Sequence, residues 1–285
     1  MLLLVSVLSL SGWAYLAAMV ADMVPAMDMT EAGPGMGIFN QFNIFDGLSA
    51  EAGAALAAIC LPAGATFGMP GIEMTVGDLG KIFLMWAMMS LAMMLPSATP
   101  MLHSYFFQLS TAKASRLSVS SQVMMAVIGY LLIWLGYAVV ATAAQWLLSR
   151  LGGLNDMMAP ASMALTTSVL FAAGLYQFTP AKKACLQRCW YPRWTFLDNK
   201  GENVVISGVR EGLAQGWACL GCCWAIMTVM FAVGLMNIVW IALLGAVMAL
   251  EKTFPSKIFP NLIGLVMIAW AGLLTTVILF NGATM

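Results

Sequence analysis

Charge is what this sequence has least of. Only 8% of its residues are Asp, Glu, Lys or Arg, against roughly 25% in an average soluble domain. A chain so poor in ionic side chains cannot present a water-facing surface on all sides, which excludes a soluble globular domain. Net charge is also missing, with 12 basic against 12 acidic residues, so the positive field that attracts nucleic acid is absent. Histidine is nearly absent. His103 stands alone, in the loop after the second apolar run, where it is expected at the surface. No glycine-rich phosphate loop, Ser-His-Asp set or paired-carboxylate site can be read in the sequence, and the expectation is a protein that is not an enzyme.

Apolar residues are what the chain has instead. They make up 62% of it, and the mean hydropathy is +0.91. A bilayer core of about 30 Å needs about 20 apolar residues in a helix, and backbone groups in hydrocarbon must be bonded within their own segment. Apolar runs cover residues 1–21, 79–99, 122–148, 160–178, 213–250 and 258–283. The fifth is too long for one crossing and holds Gly234 and Asn237 near its middle, so it reads as a tight hairpin, 213–233 and 236–250. The fold class is therefore all-α: a polytopic transmembrane helical bundle of about seven spans in a single domain, 1–285.

The few charges are sorted along the chain. Residues 22–78 carry Asp22, Asp28, Glu31, Asp46, Glu51, Glu73 and Asp78 with no Lys or Arg, whereas 179–210 carry Lys182, Lys183, Arg188, Arg193, Lys200 and Arg210. Basic loops stay on the cytoplasmic side. That rule places the N-terminus inside, loop 22–78 outside, the basic loop 179–212 in the cytoplasm and the C-terminus outside. The stretch 50–69 is apolar but broken by Pro62, Gly64 and Gly68. Counting it as a span would turn every basic loop outward, so it reads as a re-entrant or interfacial segment of the acidic, Met-rich outer loop. The first span reads as a retained anchor, because no Lys or Arg precedes its apolar run as in a signal peptide.

Two sulfur groupings carry the chemistry. Methionine is in excess, at 25 residues. In the second span Met85, Met89 and Met93 recur every four residues, with Met88 three beyond Met85, so they stack on one helix face. Soft thioethers select Cu(I) over hard cations, and such a column would pass a soft ion from turn to turn. Met23, Met27, Met29 and Met36, beside Asp22, Asp28 and Glu31, would suit capture of that ion in the outer loop. Packing alone also explains methionine, an adaptable apolar filler. Of six cysteines, Cys60 lies outside. Cys185 and Cys189 follow the inner end of the fourth span, and Cys219, Cys222 and Cys223 share a face of the fifth. Thiolates bind Cu(I) or Zn(II), and a reducing cytosol keeps them free. Buried cysteine often does no more than pack.

Other polar groups in the spans are sparse: Gln177, Asn237, and Glu251 beside Lys252, which read as an interfacial pair. Trp134, Trp146, Trp190, Trp194 and Trp217 fall near span ends or in the inner loop, where aromatic belts are expected.

Four segments then resemble a known family. They are Met88 through Ala98, Gly174-Leu175-Tyr176-Gln177-Phe178-Thr179-Pro180 with Lys182, Lys183, Cys185 and Cys189, Cys219-Leu220-Gly221-Cys222-Cys223-Trp224, and Gly234-Leu235-Met236-Asn237 running to Glu251-Lys252. They look like the bacterial predicted metal-binding integral membrane proteins, sometimes labelled copper chaperones. The resemblance covers roughly residues 79–255 and implies a multi-pass protein of the inner membrane that handles a soft metal. The resulting expectation is a relay of Cu(I), with zinc as the alternative, through Met85, Met88, Met89 and Met93 to Cys185, Cys189, Cys219, Cys222 and Cys223. Expected partners are the lipid bilayer and a metal-donor or metal-acceptor protein. Two rival readings are an accessory subunit of a membrane enzyme complex and a thiol–disulfide protein using Cys222 or Cys223.

Overall fold

The computed structural model describes residues 2–24, 28–43, 76–111, 116–155, 158–192 and 204–282. The expectations for Met27, for Cys60 and for the segment 50–69 lie outside these residues. Everything regular among the described residues is helical: α1 (Leu2–Met23), α2 (Val76–Ser97), α3 (Thr99–Thr111), α4 (Arg116–Arg150), α5 (Met163–Gln177), α6 (Pro180–Trp190), α7 (Val204–Thr228), α8 (Met230–Val233), α9 (Ile238–Thr253) and α10 (Ile258–Gly282). Among the described residues, five helical stretches are long and apolar enough to cross a membrane: α1, α2, α4, α7 with α8, and α10. The apolar helices α5 and α9 have 15 and 16 residues.

Each expected apolar run is a helix, and the hairpin turns where Gly234 and Asn237 place it. Gly234 has φ +103° and packs its Cα against the carbonyl of Ala32, a conformation and a closeness only glycine accepts. Asn237 then caps α9, its Oδ1 accepting the N–H of Trp240 at 3.2 Å. Two expected loops are partly helical instead. Residues 99–111 form α3, set off from α2 by the break at Pro96–Ala98, and 180–190 form α6, with Thr179 capping and Pro180 opening the helix.

Close backbone approach through small residues organises the bundle, as lipid-embedded helices require. On α7, Gly208, Gly212 and Gly216 lie against Gln122, Ala126 and Tyr130–Ile133 of α4. On α1, Gly12 rests on the backbone of Met88 and Ala92 of α2, and Trp13 donates its Nε1–H to the Ala92 carbonyl at 3.1 Å. Gly174 of α5 meets Gly264 of α10. Helix α10 packs on α5 alone among its larger contacts and leaves Leu262, Leu265, Leu273, Leu279 and Phe280 exposed, the apolar surface a bilayer would cover.

One end of the bundle is capped by residues 28–43. Two short 3-10 helices, Met29–Ala32 and Met36–Phe42, lie over the hairpin turn. The Pro34 carbonyl accepts from Asn237 Nδ2 at 2.9 Å and Trp240 Nε1 at 3.1 Å, and the Glu31 carbonyl accepts from Asn155 Nδ2 at 3.2 Å. Met23, Met29 and Met36 are fully buried under this cap. The sequence cast these methionines as exposed capture ligands, but their side chains fill the end of the core. Asp28 is likewise engaged, accepting from the Thr30 N–H, the Thr30 hydroxyl and Asn40 Nδ2. Those donors hold its carboxyl below the ordinary value of 3.8.

Candidate metal centre

The opposite end gathers the cysteines. Helix α6 packs along α7, and this brings the two thiol groups together: Cys189 Sγ lies 3.8 Å from Cys222 Sγ, and Cys222 Sγ lies 3.3 Å from Cys223 Sγ. Two sulfurs bound tetrahedrally to one ion at about 2.3 Å each would stand about 3.8 Å apart, so the Cys189–Cys222 approach is of bridging size. Cys222 and Cys223 are wholly buried and Cys189 is half-buried. All five cysteines of the described residues are free thiols.

Cys219 sits in a different setting within the same cluster. Its sulfur is 2.9 Å from Lys252 Nζ and 2.9 Å from the Tyr130 hydroxyl. Lys252 also donates to Ser97 Oγ at 2.8 Å, and the Tyr130 hydroxyl to the Met94 carbonyl at 3.0 Å. Helices α2, α4, α7 and α9 thus meet around one thiol. A buried ammonium needs a counter-charge or several acceptors, and a thiolate at Cys219 would supply both. Cys185 is set apart from this group. Its sulfur covers Gly221, where an added methyl group would collide with it, and desolvation pushes its thiol pKa upward.

Among the described residues, no group of three or more His, Cys, Asp or Glu side chains is disposed to hold a metal ion as it stands. What is present is a pairwise thiol approach, with Cys219 engaged by Lys252. The methionines divide similarly. Met85, Met89 and Met93 are buried on the core face of α2, whereas Met88 is only half-buried. Met93 packs its side chain against Gly245 of α9. His103 is exposed on α3.

Four residues here make contacts that the sequence did not reveal: Ser97, Tyr130, Lys182 and Lys252. Glu251 and Lys252 do not pair with each other. They are successive residues on a helix and leave it in different directions, so Glu251 takes Lys182 of α6, both carboxylate oxygens 2.8 Å from Nζ, while Lys252 reaches Cys219. Trp190 Nε1 adds a 2.7 Å bond to the Glu251 carbonyl. The available signal was an ionisable pair closing an apolar span, which marks an interior-facing polar site.

A membrane-type helical bundle with clustered thiols is the class these features define. The chain belongs to the PpoB2 family, described as copper chaperone, whose model matches residues 83–274. That range takes in every thiol of the cluster, α2 from its second turn and both members of the Lys182–Glu251 pair. No curated protein and no solved structure matches the chain.

Proposed function

We propose that this protein is a multi-pass inner-membrane protein that binds Cu(I) at Cys189, Cys222 and Cys223 and exchanges it with a partner. The supporting observation is the 3.8 Å approach of Cys189 to Cys222 across two helices. Soft thiolates favour Cu(I), with Zn(II) the competing occupant.

In this reading α5 and α9 also cross the membrane, giving seven spans, and the thiol end faces the cytoplasm, the side that the basic residues of α6 favour. Cys219 acts through Lys252, whose ammonium offsets the negative charge of a copper–thiolate centre. Cys185 stands behind the site as a reserve thiol. Met85, Met89 and Met93, with Met88 at the flank, form the thioether column between the capped end and the thiols, about 6 Å apart per step.

Purified protein in detergent, loaded with Cu(I) under reducing conditions and freed of excess metal, is expected to retain stoichiometric copper. The Cys222→Ser/Cys223→Ser variant is expected to lose it. Copper absent from the wild type, or unchanged in the variant, would overturn the proposal.

A further inference from the structure

Helix α6 has a second side that the copper proposal does not use. Lys183, Gln187 and Trp190 recur at i, i+4 and i+7, which puts them on one stripe, on the far side of the helix from Cys185 and Cys189. That stripe borders the segment leading into α10, and α10 is not among the larger neighbours of α6. Two open hollows lie there. One, of about 410 Å³, is lined by Gln187, Arg188, Trp190, Tyr191, Pro255 and Lys257 among others. The other, of about 290 Å³, is lined by Lys183, Gln187, Trp190, Lys257, Pro260 and Asn261 among others. Gln187, Trp190 and Lys257 border both. The Trp190 ring is fixed as a wall by the bond from its Nε1 to the Glu251 carbonyl at 2.7 Å.

The charge here is of one sign and has no counter-charge. Lys183, Arg188 and Lys257 line the hollows, and no Asp or Glu does. The ion pairs of the described residues are Lys81–Asp78 and Lys182–Glu251, so these three cations take part in none. Lys183 and Lys257 are exposed and Arg188 is half-buried. An apolar surface begins where the charge ends. Ile258 follows Lys257 directly, and Ile258, Leu262, Leu265 and Val266 are all exposed. Their spacing of i, i+4, i+7 and i+8 puts them on one face of α10.

We propose that the hollows between α6 and the start of α10 bind an anionic phospholipid, its phosphate held by Lys257 with Lys183 and Arg188 and its acyl chains laid along Ile258, Leu262, Leu265 and Val266. Basic pockets between membrane helices recognise such headgroups. Each half of the site alone fits a different ligand. Inorganic phosphate would satisfy the cations and leave the α10 face bare, whereas a zwitterionic lipid would cover that face and bring no net charge to the cations. An anionic lipid satisfies both, and it fills the gap between α10 and the helix that carries Cys189. The inference is independent of copper and rests on the reading of the bundle as membrane-spanning.

The test uses the full-length protein, delipidated in a non-ionic detergent. It is given phosphatidylglycerol, phosphatidylcholine with the same acyl chains, or inorganic phosphate alone. Bound lipid is counted by native mass spectrometry, and protection is read from thermal unfolding. Phosphatidylglycerol is expected to stay bound through washing that removes phosphatidylcholine, and to raise the Tm where phosphate does not. Lys183→Gln/Arg188→Gln/Lys257→Gln removes only side chains without ion-pair partners, and should weaken phosphatidylglycerol binding at least about tenfold. Lys183→Arg/Lys257→Arg keeps the charge and should bind as the wild type does. Equal retention of the two lipids, or wild-type binding in the triple Gln variant, would overturn the site. A Tm rise with phosphate equal to that with phosphatidylglycerol would overturn the lipid as its occupant. A chain that stays monodisperse in water without detergent overturns the membrane reading itself, so the failures are distinguishable.

Discussion

Replacing Lys182 by methionine should be among the most damaging single changes at the thiol end. Lys182 and Glu251 have no solvent exposure, and Nζ sits 2.8 Å from both carboxylate oxygens. Removing one partner leaves the other charge buried and alone, which costs about 3–5 kcal/mol. At about 1.4 kcal/mol per decade, the unfolding equilibrium should shift by at least a hundredfold. Removing both charges is different, since an apolar pair of similar volume is often neutral or stabilising. Lys182→Met/Glu251→Met should therefore recover most of the loss. The pair also joins α6 to α9, so the single variant should loosen Cys189 from Cys222. Stability is read from unfolding by a denaturing detergent, and the thiol approach from cross-linking of Cys189 to Cys222 by a short bis-alkylating reagent. A loss below about 1 kcal/mol in Lys182→Met, or a double variant less stable than the single, would refute the reasoning.

Two further outcomes follow from the packing and the cap. Gly212→Ala gains about 1 kcal/mol of helix propensity, but its Cβ meets the Ala126 carbonyl, which is backbone and cannot yield. Overpacking of about 1–3 kcal/mol therefore wins and the variant should be destabilised, while Gly136→Ala, facing open space on α4, should be stabilised by about 0.5–1 kcal/mol in the same unfolding assay. At the cap, the Asp28 carboxyl is held below its ordinary value, so its contribution is complete above pH 3.8 and fades as pH falls through the lower folded value. The stability difference between wild type and Asp28→Asn should narrow below that pH. A gap constant with pH would show that the charge contributes nothing.

How much of this was legible in the sequence depended on the range of the interaction. Helices followed from apolar runs, and the turn at Gly234–Asn237 from two residues with local conformational reasons to be there. From their similar depth the sequence left open whether Cys185 and Cys189 could meet Cys219, Cys222 and Cys223; the structure brings Cys189 to Cys222 and sets Cys185 over Gly221. The rotation of each helix was not legible, because it is set by glycine contacts between helices distant in sequence. Lys252 thus looked like a partner for adjacent Glu251, whereas it faces Ser97, 155 residues away. The methionines of residues 28–43 looked solvent-facing because their segment is acidic, yet it folds over the hairpin, its Glu31 and Pro34 carbonyls accepting from the side chains of Asn155, Asn237 and Trp240, and this buries them.

X-ray absorption at the copper edge of the Cu(I)-loaded protein tests the central claim most directly. A first shell made only of sulfur at about 2.3 Å, lost in Cys222→Ser/Cys223→Ser, is the predicted result. A shell of nitrogen or oxygen, or a sulfur shell indifferent to those substitutions, would contradict it.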